Sequence, residues 1–366
     1  KDIKETINSD NIFNKTYKMI NIYNKMNNIN NINNKKNDSL YIENYKCDKI
    51  INLKGETTSI LLLKNKKDIA VCLTNGFIEI YDVLTGKLKL SSRIINNKNL
   101  TQNTILDIIE IKENIFCNSC WDFIIRMIIF YDDNTKINFL QNLSGHKSYI
   151  NSLRKLAFYK NDIVIASSSN DGTVILWKYN KENFQFNKFK EIKIFLEESQ
   201  KYQDFQIESL EESIKYNQLI CGQSVIQKVY FCNLNDLSQI KKMSIRVNRC
   251  IKALKIIDDD FLIVAGYQEI YITHIKLKVI VSSIKYYVNC EFNCIFVKRN
   301  GNILITEYGN VCRIKEFKFD KNKLHLNLMS EREKEFSNYI TTIAELDNED
   351  LIAGGYDKTI KIFLKN

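Results

Sequence analysis

Two stretches of this chain repeat one another, and a repeated unit of this size cannot bury its apolar face alone, so neighbouring copies must stack. The first stretch begins at Gly145-His146. It runs through Tyr149-Ile150-Asn151-Ser152-Leu153 and Ile163-Val164-Ile165-Ala166-Ser167 to Asn170-Asp171-Gly172-Thr173-Val174-Ile175-Leu176-Trp177. The second runs through Tyr339-Ile340-Thr341-Thr342-Ile343 to Gly354-Gly355-Tyr356-Asp357-Lys358-Thr359-Ile360-Lys361-Ile362-Phe363, with Phe363 where Trp177 stands. Extending the alignment puts Tyr81, Ile128, Tyr230, His274 and Ile314 at the same place. The seven positions are then separated by 47, 49, 53, 44, 40 and 49 residues. A period in this range is the mark of a propeller, solenoid or array.

The units read as β-structure. From residue 46 onward, short runs such as Ile60–Leu63, Ile69–Leu73, Phe77–Val83 and Phe261–Ala265 alternate with turns such as Thr74-Asn75-Gly76 and Tyr308-Gly309-Asn310. Many short strands with frequent turn signals predict an all-β sandwich, barrel or propeller. Residues 1–45 have a different texture. They are rich in Asn and Lys, with Phe13, Tyr17, Ile20, Tyr23 and Met26 at roughly helical spacing. Both an amphipathic helix and a low-complexity arm fit that extension. The chain begins on Lys1 rather than Met. It can therefore be one domain of a longer protein, and no targeting segment is judged from it.

The unit at 145–177 resembles a WD repeat (WD40 type). It has a Gly-His before the first strand, a Ser on the second, an Asp in the following turn and a Trp six residues further on. The resemblance implies that His146, Ser167, Asp171 and Trp177 form a hydrogen-bonded tetrad that stiffens the unit. The unit departs from the family at its end, reading Trp177-Lys178 where Trp-Asp is usual. Trp121-Asp122 imitates that dipeptide but aligns with the turn before Asp171. The resemblance covers about residues 46–366, strongly in units three and seven and weakly in four to six. It implies an all-β, seven-bladed β-propeller, with eight or six blades as alternatives. The last unit holds three strands, so the apolar run Lys49–Leu53 is expected to add the fourth. An N-terminal strand completing the last blade closes the ring and hides its sheet edges.

Little in the sequence points to catalysis or to a cofactor. The three His are His146, His274 and His325, with no second His near any of them. Cys117-Asn118-Ser119-Cys120 is a lone CxxC. A structural zinc site needs four ligands, and Cys290 and Cys294 align with a different blade. Buried, reduced thiols are the plainer reading of the ten Cys, and they suit a cytoplasmic or nuclear location. No GxxxxGK[ST] or GxGxxG string is present. The Phe-Arg-Arg-Gly string with which some propellers bind phosphoinositides is also missing. Asp258-Asp259-Asp260 reads as a solvated turn. The run from Phe123 to Tyr131 is broken by Arg126 and is too short to span a bilayer. The net charge of +10 comes from 53 Lys and Arg against 43 Asp and Glu. These cations form no block, and the absence of Pro with abundant Asn, Lys, Ile and Tyr looks like AT-rich coding. Nucleic acid is thus a lesser expectation than protein as a partner.

The resemblance also implies where a partner would bind. In such propellers the turn between the second and third strands and the loop between blades open on one face. The residue before the turn Asp is a frequent contact there. That residue is Trp121, Asn170, Tyr267 and Tyr356 in units two, three, five and seven, and Arg246 and Arg249 fall in the loop entering unit five. Together they describe an aromatic and cationic mouth suited to an acidic or phosphorylated protein segment. Packing between blades is the competing reading of the same residues. The expected function is a non-catalytic protein–protein interaction scaffold or adaptor. An RNA- or ribonucleoprotein-associated scaffold, which the net basicity supports, and the substrate-recognition domain of a larger assembly are the alternatives, and the protein-scaffold expectation rests on fold analogy.

Overall fold

The computed structural model describes residues 45–95, 100–131, 134–194, 206–224, 227–244, 250–286, 288–333 and 335–365. The N-terminal extension, Arg246 and Arg249 lie outside the described residues. Strand β1 (Tyr45–Asn52) comes first. Six antiparallel four-stranded meanders follow: β2–β5 within 57–93, β6–β9 within 105–144, β10–β13 within 150–193, β14–β17 within 207–244, β18–β21 within 251–285 and β22–β25 within 291–333. Strands β26–β28, within 340–365, then take β1 as their fourth member in the order β1-β28-β27-β26. The innermost strand of each sheet touches that of the next, from β2 around to β26 and back to β2, which closes a ring of seven blades.

Burial follows from this arrangement. The second strand of a blade is covered on both faces by neighbouring blades. Accordingly β3 (Asp68–Leu73, DIAVCL), β11 (Val164–Ser169, VIASSS) and β19 (Phe261–Gly266, FLIVAG) are buried at every residue. The outermost strands face water and carry the charge, as in β13 (Gln185–Lys193). The apolar residues form seven slabs, one per blade junction. The slab between blades two and three, for example, joins Cys117, Ile125 and Met127 to Leu153, Ile165 and Trp177.

Every innermost strand contains a β-bulge near its start. A bulge re-aims the side chain beside it, and side chains beside these bulges reach the next blade, Ser59 Oγ donating to Asp107 Oδ1 at 3.3 Å among them. Thr342 Oγ1 accepts from Ile60 N at 3.2 Å, Asp107 Oδ2 from Leu153 N at 3.0 Å, and Ser209 Oγ from Leu254 N at 3.2 Å. Burial pushes the Asp107 carboxyl up, against the bonds from Leu153 and Ile108 and the nearby Arg154 charge that favour its ionised form.

The seam is clasped as the sequence predicts. Strand β1 pairs antiparallel with β28 from Tyr45 opposite Lys365 to Asn52 opposite Thr359. Tyr45 Oη donates to Glu349 O at 3.0 Å, and Leu53 N donates to Lys358 O at 2.9 Å. Arg332 donates to Tyr45 O at 2.6 Å while its guanidinium lies over the Phe363 ring, 4.8 Å from the centroid.

The repeat alignment needs correction in three blades. Ser167 pairs with Ile175 in blade three, eight residues on, and Trp177 follows two later. The same eight-residue hairpin joins Val71 to Glu79, Asn118 to Arg126 and Ala353 to Lys361, so Tyr81, Ile128 and Phe363 match Trp177. In blade four the corresponding pair, Cys221 and Tyr230, is nine apart. In blade five Val264 and Tyr271 are seven apart, and in blade six Ile305 and Lys315 are ten apart. The true equivalents there are Cys232, Thr273 and Phe317, in place of Tyr230, His274 and Ile314. Hairpin length, which a fixed period hides, caused each slip.

Candidate functional site

Among the described residues, the turns between second and third strands and the loops between blades stand at one end of the propeller. Its best-formed unit is blade three. Trp177 Nε1 donates to Ser167 Oγ at 2.9 Å, Ser167 Oγ lies 2.7 Å from His146 Nε2, and His146 Nδ1 lies 3.0 Å from Asp171 Oδ2. With Nδ1 protonated, each group in the chain donates to the next. Asp171 also accepts from Lys147 N at 2.8 Å, Thr173 N at 2.9 Å and Thr173 Oγ1 at 2.7 Å. Burial pushes the Asp171 carboxyl up, but the His146 bond and charge and these further bonds outweigh it and hold the group well below the usual carboxylate range.

Other blades use a different device at the same place. In blade two Arg126 grips Asp122 with both terminal nitrogens. In blade seven Lys361 lies 3.8 Å from Asp357 and over the Phe336 ring, 4.3 Å from its centroid. Both pairs are spaced i,i+4 from turn to third strand.

Two groups of aromatic side chains stand on this face. Trp121, in the blade-two turn, stacks on Tyr149 with ring centroids 4.8 Å apart, and Phe123 tilts against the same Tyr149 at 5.6 Å. Tyr308 stacks on Tyr339 at 3.7 Å, and Tyr356 meets Tyr339 edge-on at 5.9 Å. Tyr339 Oη donates to Glu291 Oε2 at 3.3 Å. Burial first, then Glu291, pushes the Tyr339 phenol up to about 12. All of these rings are partly exposed.

The sequence-derived face residues therefore divide. Trp121 and Tyr356 each sit in an aromatic group. The Tyr267 hydroxyl donates to Asn289 Oδ1 at 2.9 Å. Asn170 is tied down by Asn151, whose amide donates to its side-chain oxygen at 2.6 Å. Tyr308 occupies the equivalent place in blade six and is absent from the sequence-derived set. The long hairpin of that blade displaced the alignment, although the turn Tyr308-Gly309-Asn310 was itself visible.

The cysteines are free thiols. Cys117 and Cys120 lie in β7 (Ile115–Cys120) of blade two, whereas Cys294 lies in β22 (Glu291–Val297) of blade six and Cys290 just before it. Burial pushes Cys120 up to about 12 and Cys290 and Cys294 up to about 11. At neutral pH such thiols keep their protons, the form that neither attacks nor ligates.

Comparison with known proteins agrees with this architecture. Residues 137–178 match the family model described as WD domain, G-beta repeat. No curated protein matches the sequence. Among solved structures, the crystal structure of the WD40 beta propeller domain of Doa1 superposes with a TM-score of 0.66 at 14% identity. The match covers 89% of this chain and 98% of that one. At that identity the likeness bears on the fold alone.

Proposed function

We propose that this seven-bladed β-propeller, which is similar to WD40 proteins, serves as a non-catalytic scaffold that binds a segment of a partner protein on the face carrying its blade-joining loops. One observation carries the reading. Trp121, Tyr308 and Tyr356 are partly exposed yet held by neighbouring rings rather than free to rotate. Aromatic side chains are the commonest interface anchors. Rings already ordered in the free protein lose less entropy on binding. Packing against Tyr149 and Tyr339 does not compete with this role, because each ring keeps an exposed side. The free cysteines fit a reducing compartment, cytoplasmic or nuclear.

The test is an affinity capture from native extract with the intact chain and with a Trp121→Ala, Tyr308→Ala, Tyr356→Ala variant of unchanged circular dichroism and melting temperature. The expected result is a discrete protein held by the intact chain and lost by the variant. Retention by the variant refutes the face. Capture of nuclease-sensitive material alone refutes the protein scaffold in favour of an RNA-associated one, the alternative that the net charge of +10 supports.

A further inference from the structure

The tyrosines where blade six meets seven stand among carboxylates. The innermost strands surround the axis of the ring, and three of them carry a glutamate at the end that bears this face. Glu56 immediately precedes the innermost strand of blade one, Glu208 is the second residue of that of blade four, and Glu291 opens that of blade six. All three are partly exposed. Tyr339, which immediately precedes β26, donates to Glu291 Oε2 at 3.3 Å. Burial first, then Glu56 and Glu208, pushes the Tyr356 phenol up. Tyr356 thus lies within electrostatic reach of blade one beside it and of blade four across the ring.

These carboxylates are sparsely countered. Among the described residues the cation paired with them is Lys252, which lies 3.8 Å from Glu208, beyond hydrogen-bonding distance. The Glu56 carboxylate has no hydrogen bond there, and that of Glu291 accepts from the neutral Tyr339 hydroxyl. Lys54 and Lys358, in the adjoining turns, are exposed, and neither acts on the Tyr356 phenol. Blades two and three give the contrast on the same face: Asp122 is gripped by Arg126, and Asp171 is taken up by His146 and Thr173. The tyrosines thus share their surroundings with three glutamates and one loosely paired lysine.

We infer that the tyrosines of blades six and seven receive a basic side chain of the partner segment, an arginine or a lysine, with its cationic end over the rings and its donors directed at Glu56 and Glu208. This rests on the proposed binding face and names what that face selects. Two separate properties favour the same charge. The face of an aromatic ring attracts a cation, and carboxylate oxygens accept strongly from its N–H groups. An acidic side chain would meet three carboxylates against one lysine and be repelled. The acidic segment expected from the sequence drew on Arg246 and Arg249, which lie outside the described residues, and the described ones favour the opposite charge.

A random heptapeptide library displayed on phage and selected on the immobilised full chain tests the inference. Clones still held by a folded Tyr308→Ala, Tyr356→Ala variant are discarded. The remaining peptides are synthesised with each Arg in turn changed to citrulline and each Lys to norleucine, which removes the charge and keeps the stem. The expected result is one basic position whose neutralisation raises Kd about tenfold or more on the native chain and less than about twofold on a folded Glu56→Gln, Glu208→Gln variant. The comparison of charged and neutral peptides on the native chain needs no variant at all. If tyrosine-dependent peptides bind with no preference for a basic residue, prefer an acidic one, or keep the full preference for a basic one in the double glutamine variant, the inference is overturned and the face stands. If no selected peptide depends on the tyrosines, the face falls and the inference with it.

Discussion

Ser167 is the joint of the blade-three network, and its removal gives a sharp test of how the fold is held. The side chain is fully buried, and its hydroxyl accepts from Trp177 Nε1 at 2.9 Å while bonded to His146 Nε2 at 2.7 Å. Ser167→Ala leaves both nitrogens facing a methyl group. Each buried polar group left without a partner costs about 1–3 kcal/mol, so two predict a loss of about 2–6 kcal/mol. Blade seven shows the apolar solution to the same site, with Ala353 in place of Ser167 and Phe363 in place of Trp177. Trp177→Phe deletes the orphaned donor and leaves the His146 Nε2 acceptor as the one unpaired group. The double variant is therefore expected to be more stable than the sum of the single losses predicts, by about 1–2 kcal/mol of coupling. Urea unfolding at 25 °C followed by far-ultraviolet circular dichroism, with slopes compared to check that unfolding stays two-state, measures all three differences. A Ser167→Ala loss below about 0.5 kcal/mol, or strict additivity in the double variant, would refute this reasoning.

Two further outcomes follow from the same geometry. Asp171 is held below its unfolded value of about 3.9, so its stabilisation is complete above that pH and is lost as pH falls through the lower folded value. The stability gap between the native chain and Asp171→Asn should shrink from pH 5 toward pH 2, and urea midpoints showing a constant gap would contradict the assignment. A Cβ on Gly355 would sit 2.2 Å from the backbone oxygen of Tyr339, whereas one on Gly301 would meet nothing within 4 Å and only the strain of its positive φ of 83°. Gly355→Ala should therefore lower the melting temperature well beyond Gly301→Ala, and equal effects would mean that the Tyr339 backbone yields freely.

What the sequence revealed tracks hairpin length closely. Where the second and third strands join through an eight-residue hairpin, a fixed spacing finds the interior position, as at Tyr81, Ile128, Trp177 and Phe363. Where the hairpin gains or loses a residue, spacing lands on a neighbour, and Cys232, Thr273 and Phe317 escape. The seam was legible because a three-stranded final unit leaves an unpaired edge that only an early apolar run can cover. The stacks were not. Tyr149 and Tyr339 precede innermost strands, and their partners Trp121 and Tyr308 belong to the blade before. Such pairs exist only once blades are set side by side, which no local pattern states. Lys361 was hidden for a related reason: a lone lysine in Thr359-Ile360-Lys361-Ile362-Phe363 reads as an exposed strand residue until the neighbouring blade covers it.

The departures from a uniform repeat have a functional consequence. Seven identical blades would present a face with sevenfold symmetry and seven equivalent registers for a bound segment. Here the third-strand position matching Ile175 holds Glu79, Arg126, Tyr271, Lys315 and Lys361 in five other blades. Each is paired by its own local partner: Tyr81 and Ser91 on Glu79, Asp122 on Arg126, Glu269 on Tyr271, Glu307 on Lys315, Asp357 beside Lys361. The apolar slabs between blades bind the ring together whichever pair is present, which leaves these positions free to diverge. Among the described residues, the two aromatic groups on the face lie where blade two meets three and where blade six meets seven, and the second adjoins Lys361, which lies 3.8 Å from Asp357. On the proposed binding face a bound segment would therefore meet inequivalent blades, so that specificity would arise from the irregularity of the repeats rather than from the fold they share.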